Sequence, residues 1–122
     1  MRKIVLAGNP NVGKSVVFSQ LTGSRVMISN YAGTTVEFTK GLLTTESESF
    51  EVLDAPGTYS LEPTSKVEKV ASTLVDQADI VINVVDATNL ERNLFLTTEL
   101  LERDVPLIVA LNMIDEAGHK GV

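Results

Sequence analysis

An octapeptide near the N-terminus has the residue types and spacing of a phosphate-binding loop. The run Gly8-Asn9-Pro10-Asn11-Val12-Gly13-Lys14-Ser15 matches the pattern GxxxxGK[ST] and directly follows the apolar stretch 4–7. The glycines let backbone N–H groups converge on an anion, and a helix that starts near Lys14 directs the positive end of its dipole at the same phosphates. In this pattern the lysine reaches the β- and γ-phosphates, and Ser15 binds Mg²⁺. An ordinary glycine-rich turn is the alternative, but the flanking strand and helix patterns favour a nucleotide site.

A second motif follows another apolar run. Asp54-Ala55-Pro56-Gly57 fits DxxG and stands 40 residues after Lys14. In such a motif the aspartate at the strand end approaches Mg²⁺, and the glycine lets a backbone N–H meet the γ-phosphate. As an isolated tetrapeptide it would predict only a turn. Its position after a strand and its distance from the phosphate loop favour a nucleotide-binding role.

A third motif, Asn112-Met113-Ile114-Asp115, fits NxxD. The carboxylate of Asp115 can accept two hydrogen bonds from the N1–H and the N2 amine of guanine, donors that adenine does not offer together. Met113, which lies between the two polar residues, has an unbranched side chain that can cover the apolar face of a base. The alternative is an N-terminal cap on a following helix.

The segment between the first two motifs has the composition of a switch loop. It runs from Asn30 to Glu37 and contains Gly33, Thr34 and Thr35. Thr35 is predicted to complete the Mg²⁺ coordination when a γ-phosphate is present. Such a loop orders on binding a nucleoside triphosphate and is released on hydrolysis. A surface connection whose threonines enter a strand is the alternative.

Alternating strand and helix patterns surround these motifs. Apolar runs predict buried strands, periodic patterns predict helices, and a polar stretch between two runs predicts a hairpin. The strands are expected at 4–7, 50–53, 80–85 and 107–111, the helices at 14–21, 66–75 and 90–101, and the hairpin at 36–43 with 50–53. This order predicts an α/β fold with a mostly parallel, doubly wound sheet and one antiparallel edge strand.

The composition limits the classes of protein that fit. At 122 residues and 43% hydrophobic content, the chain is expected to form one domain over 1–122. A formal charge of −6 and a pI of about 4.7 argue against a nucleic-acid partner, which needs a basic face. There is no cysteine and only one histidine, His119, so a thiolate site and a histidine cluster are excluded. No apolar run approaches the length that spans a bilayer, so we expect a soluble, cytosolic chain.

Five segments together resemble the cytosolic G domain of the FeoB family, the prokaryotic ferrous-iron transporters. They are GNPNVGKS, NYAGTTVE, DAPGTYSLEP, VVDATNLERNLFLTTELLE and ALNMIDEA, and they cover nearly the whole chain. The stretch VVDATNLERNL and the Tyr-Ser-Leu after DxxG favour this family over ribosome-assembly GTPases. The resemblance implies a Ras-like fold that binds GTP or GDP with Mg²⁺. It also implies a parent protein at the cytoplasmic face of the cell membrane, with a helical regulatory domain and an iron permease after this domain.

The resemblance also implies roles for individual residues. Phosphate and Mg²⁺ would be served by Lys14, Ser15, Thr35, Asp54 and Gly57, and the guanine by Asn112, Met113 and Asp115. Asn11 matches an asparagine that helps bind K⁺ in related cation-dependent GTPases, where the cation replaces an arginine finger.

Catalysis would then rest on few groups. Asn11, Lys14, Thr35 and Gly57 are the predicted catalytic residues. Thr58 stands where Ras-type proteins carry the glutamine that orients the attacking water, so we expect slow intrinsic hydrolysis with no side chain acting as a strong general base.

The C-terminal end limits what the resemblance implies. The sequence ends at Val122, before the last strand and helix that such a fold usually has. We therefore expect a fragment with weakened guanine affinity and self-association through an exposed sheet edge. Two alternatives remain: a truncated interaction module with little nucleotide binding, and a K⁺-dependent GTPase of ribosome or RNA maturation, which the acidic charge disfavours.

Overall fold

The computed structural model describes residues 1–23 and 26–112. The strands and helices follow in chain order: β1 Arg2–Gly8, α1 Lys14–Thr22, β2 Val26–Asn30, β3 Glu37–Thr44, β4 Ser49–Asp54, α2 Lys66–Asp76, β5 Ile80–Asp86, α3 Leu90–Leu101 and β6 Leu107–Asn112. Within these described ranges, no helix is both long and apolar enough to cross a membrane.

The six strands form a single sheet in the order β2-β3-β4-β1-β5-β6. Strand β1 lies parallel to β4 on one side and to β5 on the other, and β6 extends the parallel part beyond β5. Strand β3 is antiparallel to both of its neighbours, β2 and β4. Because the parallel strands share one direction, their carboxyl ends meet at the same edge of the sheet, where α/β folds bind their ligands.

The core lies on both faces of this sheet. Alternate residues of β1 point to opposite sides: Val5 packs in a cluster with Leu74 of α2 and Leu96 of α3, whereas Leu6 packs in a cluster with Phe18 of α1. Burial on both faces explains why the central strands are continuous apolar runs rather than alternating ones. The result is the predicted doubly wound arrangement, with helices on both faces of the sheet.

The predicted fold class is confirmed, with one strand that the sequence did not indicate. The predicted strands and helices are present, and their ends differ from prediction by no more than two residues. Strand β3 has the predicted antiparallel direction, but β2 lies outside it, so β3 is the second strand from the edge. Residues Val26, Met27 and Ile28 of β2 are exposed. The segment has no alternation of apolar and polar residues that would predict a strand.

Candidate functional site at the carboxyl edge of the sheet

Polar groups from four strands converge at the carboxyl edge of the sheet. Strands β1, β4, β5 and β6 end at Gly8, Asp54, Asp86 and Asn112. The loop after β2 lies at the same edge, because β3 runs in the opposite direction and pairs its Thr39 with Asp54. The three sequence motifs and the predicted switch loop therefore begin or end at one side of the molecule.

The backbone between β1 and α1 has the conformation of an anion-binding loop. Gly13 has a φ of 79°, a left-handed conformation that glycine adopts without steric cost, and Asn11 has a φ of 63°. Helix α1 begins at Lys14, and no side chain caps its first turn. Its first N–H groups are therefore available to an anion at the positive end of the helix dipole.

A cavity of about 310 Å³ opens above this loop. Its lining consists of Asn9, Pro10, Asn11, Val12, Gly13, Lys14, Ser15, Asp54 and Gly57. The fold thus brings DxxG to the phosphate loop across 40 residues of chain, as the sequence predicted. The volume is within the range of small-molecule pockets.

Lys14 is the main cation of this cavity, and it contacts two groups of the DxxG segment. Its ammonium group forms an ion pair with the carboxylate of Asp54 and donates a hydrogen bond to the backbone carbonyl of Ala55 at 2.6 Å. The side chains of Lys14 and Asp54 are only 12% and 13% exposed. The pair is therefore shielded from solvent, and it links the phosphate loop directly to the end of β4.

The backbone that follows Asp54 packs tightly against the phosphate loop. The N–H of Thr58 donates to the carbonyl of Gly8 at 3.0 Å. A β-carbon added to Gly57 would lie 2.9 Å from Cα of Pro10 and 3.1 Å from its nitrogen, closer than side chains approach backbone. Glycine is therefore required here because the two backbone segments touch. The side chain of Thr58 is buried.

The predicted switch loop is closed on itself by hydrogen bonds. The hydroxyl of Thr34 donates to the carbonyl of Tyr31 at 3.0 Å and accepts from the N–H of Val36 at 3.0 Å, and the N–H of Tyr31 donates to the carbonyl of Val36 at 2.8 Å. Thr35 is exposed. Gly33, Thr34 and Thr35 are not among the residues that line the 310 Å³ cavity. Their contact with a nucleotide or Mg²⁺ stays a prediction.

Asn112 connects the NxxD motif to the phosphate loop. Its side-chain amide donates to the backbone carbonyl of Val12 at 2.9 Å. This bond joins residues 100 positions apart and fixes the end of β6 beside the loop. Met113 and Asp115, the other predicted guanine-binding residues, lie outside the described residues.

Two residues of α3 reach the segment after DxxG, and the sequence alone did not indicate either contact. The carboxylate of Glu99 accepts hydrogen bonds from the hydroxyl of Ser60 and the N–H of Leu61, both at 3.0 Å. The guanidinium of Arg92 lies 4.2 Å from the ring centroid of Tyr59. Arg92 and Glu99 are seven residues apart, a spacing that places them on the same face of a helix, but no pattern in the sequence identified the segment that they contact.

The donor set of the cavity suits a hard cation beside a phosphate. Ser15 and Asp54 offer a hydroxyl and a carboxylate oxygen, the ligands that Mg²⁺ prefers. Among the described residues, no group of three or more His, Cys, Asp or Glu side chains is placed to hold a metal ion by itself. In proteins Mg²⁺ commonly takes the rest of its coordination from water and from phosphate oxygens.

A phosphate loop at the carboxyl edge of a mostly parallel, doubly wound sheet, with DxxG packed against it, defines a Ras-like G domain. The family model described as "Ferrous iron transport protein B" matches residues 2–122. The chain therefore belongs to the FeoB family, and the resemblance drawn from its motifs is confirmed.

Curated relatives and solved structures agree with this assignment. The chain is 49% identical to the Fe(2+) transporter FeoB of Escherichia coli K12, with all of the chain matched to 17% of that protein, and 50% identical to that of Salmonella typhimurium over the same shares. It matches a GDP-bound mutant of S. thermophilus NFeoB with a TM-score of 0.91 and 46% identity, covering 100% of this chain and 48% of that one. It also matches the G domain of T. maritima FeoB, with a TM-score of 0.91 and 42% identity. That match covers 97% of this chain and 76% of the other.

Proposed function

We propose that this chain binds guanine nucleotides with Mg²⁺ and hydrolyses GTP slowly, with stimulation by K⁺. The observation that carries the proposal is the cavity in which Lys14 and Asp54 face each other between the phosphate loop and DxxG. The GDP-bound and GMPPNP-form structures among its relatives support the same class of ligand.

In the proposed complex, Lys14 exchanges its partner. Its ammonium group would leave the carboxylate of Asp54 and bind the β- and γ-phosphates, and the oxygens of Asp54 and Ser15 would then be available to hold Mg²⁺. That cation would neutralise part of the phosphate charge. The backbone N–H groups of Gly13, Lys14 and Ser15 would bind the remaining phosphate oxygens without a change in backbone conformation, because the loop conformation is already formed.

Hydrolysis would rely on positioning rather than on a strong base. Thr58 is buried and offers no exposed side chain at the position after DxxG. The N–H of Gly57 and the backbone carbonyls of the loop around Thr35 are proposed to orient the γ-phosphate and the attacking water. The amide oxygen of Asn11 would bind K⁺, whose charge stabilises the transition state in place of an arginine. Phosphoryl transfer depends mainly on such positioning and electrostatics.

Recognition of the base is assigned to the NxxD motif. Asp115 would accept the two hydrogen bonds that distinguish guanine from adenine, and Met113 would pack on the base. The bond from Asn112 to the carbonyl of Val12 supports this assignment, because it fixes the start of the motif beside the phosphate loop. The hydrogen bond between Asn112 and Val12 would then hold the base-binding motif and the phosphate loop at a fixed separation.

The cellular role is proposed from the family. The chain spans 17% of the length of the curated relatives, which are Fe(2+) transporters. We propose that it acts as a regulatory GTPase domain at the cytoplasmic face of the prokaryotic cell membrane, where its partners are the helical and membrane permease domains of a longer polypeptide. Its net charge of −6 disfavours a nucleic-acid partner.

The proposal is tested by measuring phosphate release from GTP by the 122-residue chain in Mg²⁺ with either K⁺ or Na⁺ at equal ionic strength. Slow turnover that is faster in K⁺ and absent with EDTA supports the proposal. Saturable GTP binding without any turnover would reduce the function to nucleotide binding. Lack of binding would instead favour an interaction module that does not use the cavity.

A further inference from the structure

The segment from Thr58 to Leu61 is held by α3 as well as by the phosphate loop. Both carboxylate oxygens of Glu99 are used: one accepts the N–H of Leu61 and the other the hydroxyl of Ser60, each at 3.0 Å. An ionised acceptor forms stronger hydrogen bonds than a neutral one. Glu99 is half-buried, so solvent competes only in part for these bonds.

A second, weaker contact lies two turns earlier on the same helix face. The guanidinium of Arg92 stacks over the ring of Tyr59 at 4.2 Å from its centroid. Both side chains are exposed, and cation–π contacts at exposed sites contribute little. Glu99 is therefore the stronger of the two attachments.

The other end of the segment fixes the glycine of DxxG. The N–H of Thr58 binds the carbonyl of Gly8, and Gly57 lies against the backbone of Pro10. The side chain of Leu61 is buried in the core cluster that includes residues of α2 and α3. Only three residues separate Gly57 from Leu61, so the attachment of Leu61 to α3 limits how far the short segment that follows Gly57 can move.

We propose that Glu99 is a positioning residue for the γ-phosphate contact of Gly57. By holding Ser60 and Leu61 against α3, Glu99 keeps the backbone N–H of Gly57 in the position from which it donates to the γ-phosphate. This inference rests on the proposed GTP hydrolysis.

Three variants test the proposal. Glu99→Ala removes both hydrogen bonds. Glu99→Gln keeps the length of the side chain and its carbonyl oxygen, so it can still accept from Leu61 and donate to Ser60. Glu102→Ala removes an exposed carboxylate next to the end of the same helix and serves as the matched control. Hydrogen exchange of the amides of residues 57–61 is followed in the nucleotide-free chain, and kcat, KM and GDP affinity are measured in Mg²⁺ and K⁺.

We expect Glu99→Ala to lower kcat by about 10-fold, because it removes a charged two-point acceptor, while KM and GDP affinity stay within about 2-fold. We expect Glu99→Gln to recover kcat to within about 3-fold of the original chain. The Leu61 amide should exchange faster in Glu99→Ala only. A merely structural role would lower melting temperature and GDP affinity together and would not separate kcat from KM.

The outcomes separate the two proposals. If the unaltered chain does not hydrolyse GTP, the proposed function fails. The attachment by Glu99 is then decided by amide exchange and by the ratio of GMPPNP to GDP affinity. Unchanged exchange at Leu61, or equal kcat values for Glu99→Ala and Glu102→Ala, would overturn the positioning role. Faster exchange together with an unchanged kcat would overturn it as well.

Discussion

Replacing Gly57 by alanine tests whether the close approach of DxxG to the phosphate loop sets the γ-phosphate contact. The added β-carbon would lie 2.9 Å from Cα of Pro10, whereas ordinary contacts begin at 3.4 Å. Backbone is on both sides of this contact, so no side chain can rotate away. The two segments must separate by about 0.5 Å, and the N–H of Gly57 moves with them.

That displacement gives the expected magnitude. A misplacement of about 1 Å in a catalytic site can cost about 100-fold in rate, so a shift of half that size should lower kcat by about 10-fold. GDP has no γ-phosphate and does not need this N–H, so we expect its affinity to stay within about 2-fold. The ratio of GMPPNP to GDP affinity should fall with kcat.

The assay compares Gly57→Ala with Gly41→Ala, which creates a similar clash away from the cavity. A β-carbon on Gly41 would lie 2.6 Å from Cγ2 of Thr22, at the opposite end of α1 from Lys14. Overpacking costs about 1–3 kcal/mol of stability at either position. Both variants should therefore have a lower melting temperature, but only Gly57→Ala should lower kcat and the ratio of GMPPNP to GDP affinity. Equal ratios in the two variants would refute the account of the Gly57 contact.

Three further predictions concern individual contacts of the site and the core. Asn11→Ala should abolish most of the K⁺ stimulation of turnover while leaving GDP affinity nearly unchanged; equal stimulation in the variant would exclude a role in K⁺ binding. Asp54→Asn should destabilise the nucleotide-free chain in urea by about 1–3 kcal/mol, because the shielded ammonium of Lys14 loses its charged acceptor; a double variant with Lys14→Met should show less than the sum of the two losses. Thr97→Val should cost about 1–3 kcal/mol by breaking the buried hydrogen bond to Asn83, with GDP affinity unchanged; an unchanged urea midpoint would contradict this.

The sequence predicted the phosphate loop and the parallel part of the sheet because both depend on local patterns. Few structures other than a phosphate loop fit a glycine-rich segment, with Gly8 and Gly13, between an apolar run and a helix. The parallel strands were predicted because strands buried on both faces are apolar throughout. Strand β2 was not predicted, because an edge strand buries few side chains and so does not need an apolar pattern in its sequence. Its pairing with β3 is visible only in the assembled sheet.

The contacts that complete the site could not be predicted from spacing. The ion pair of Lys14 with Asp54 joins residues 40 positions apart, and the bonds of Glu99 to Ser60 and Leu61 span 39 and 38 positions. Each exists because strand order and helix packing bring the segments together. Motif positions identified Asp54, but nothing local distinguishes Glu99 from the exposed glutamate at position 102.

The most direct test of the central claim is a titration of the 122-residue chain with a fluorescent GTP analogue in Mg²⁺ and K⁺, followed by competition with unlabelled GTP, GDP and ATP. We predict saturable binding that GTP and GDP displace and ATP does not, because we propose that the cavity binds the phosphates and that Asp115 selects guanine. Equal displacement by ATP would contradict the assignment of the base-recognition motif, and the absence of binding would contradict the proposed nucleotide site in this chain.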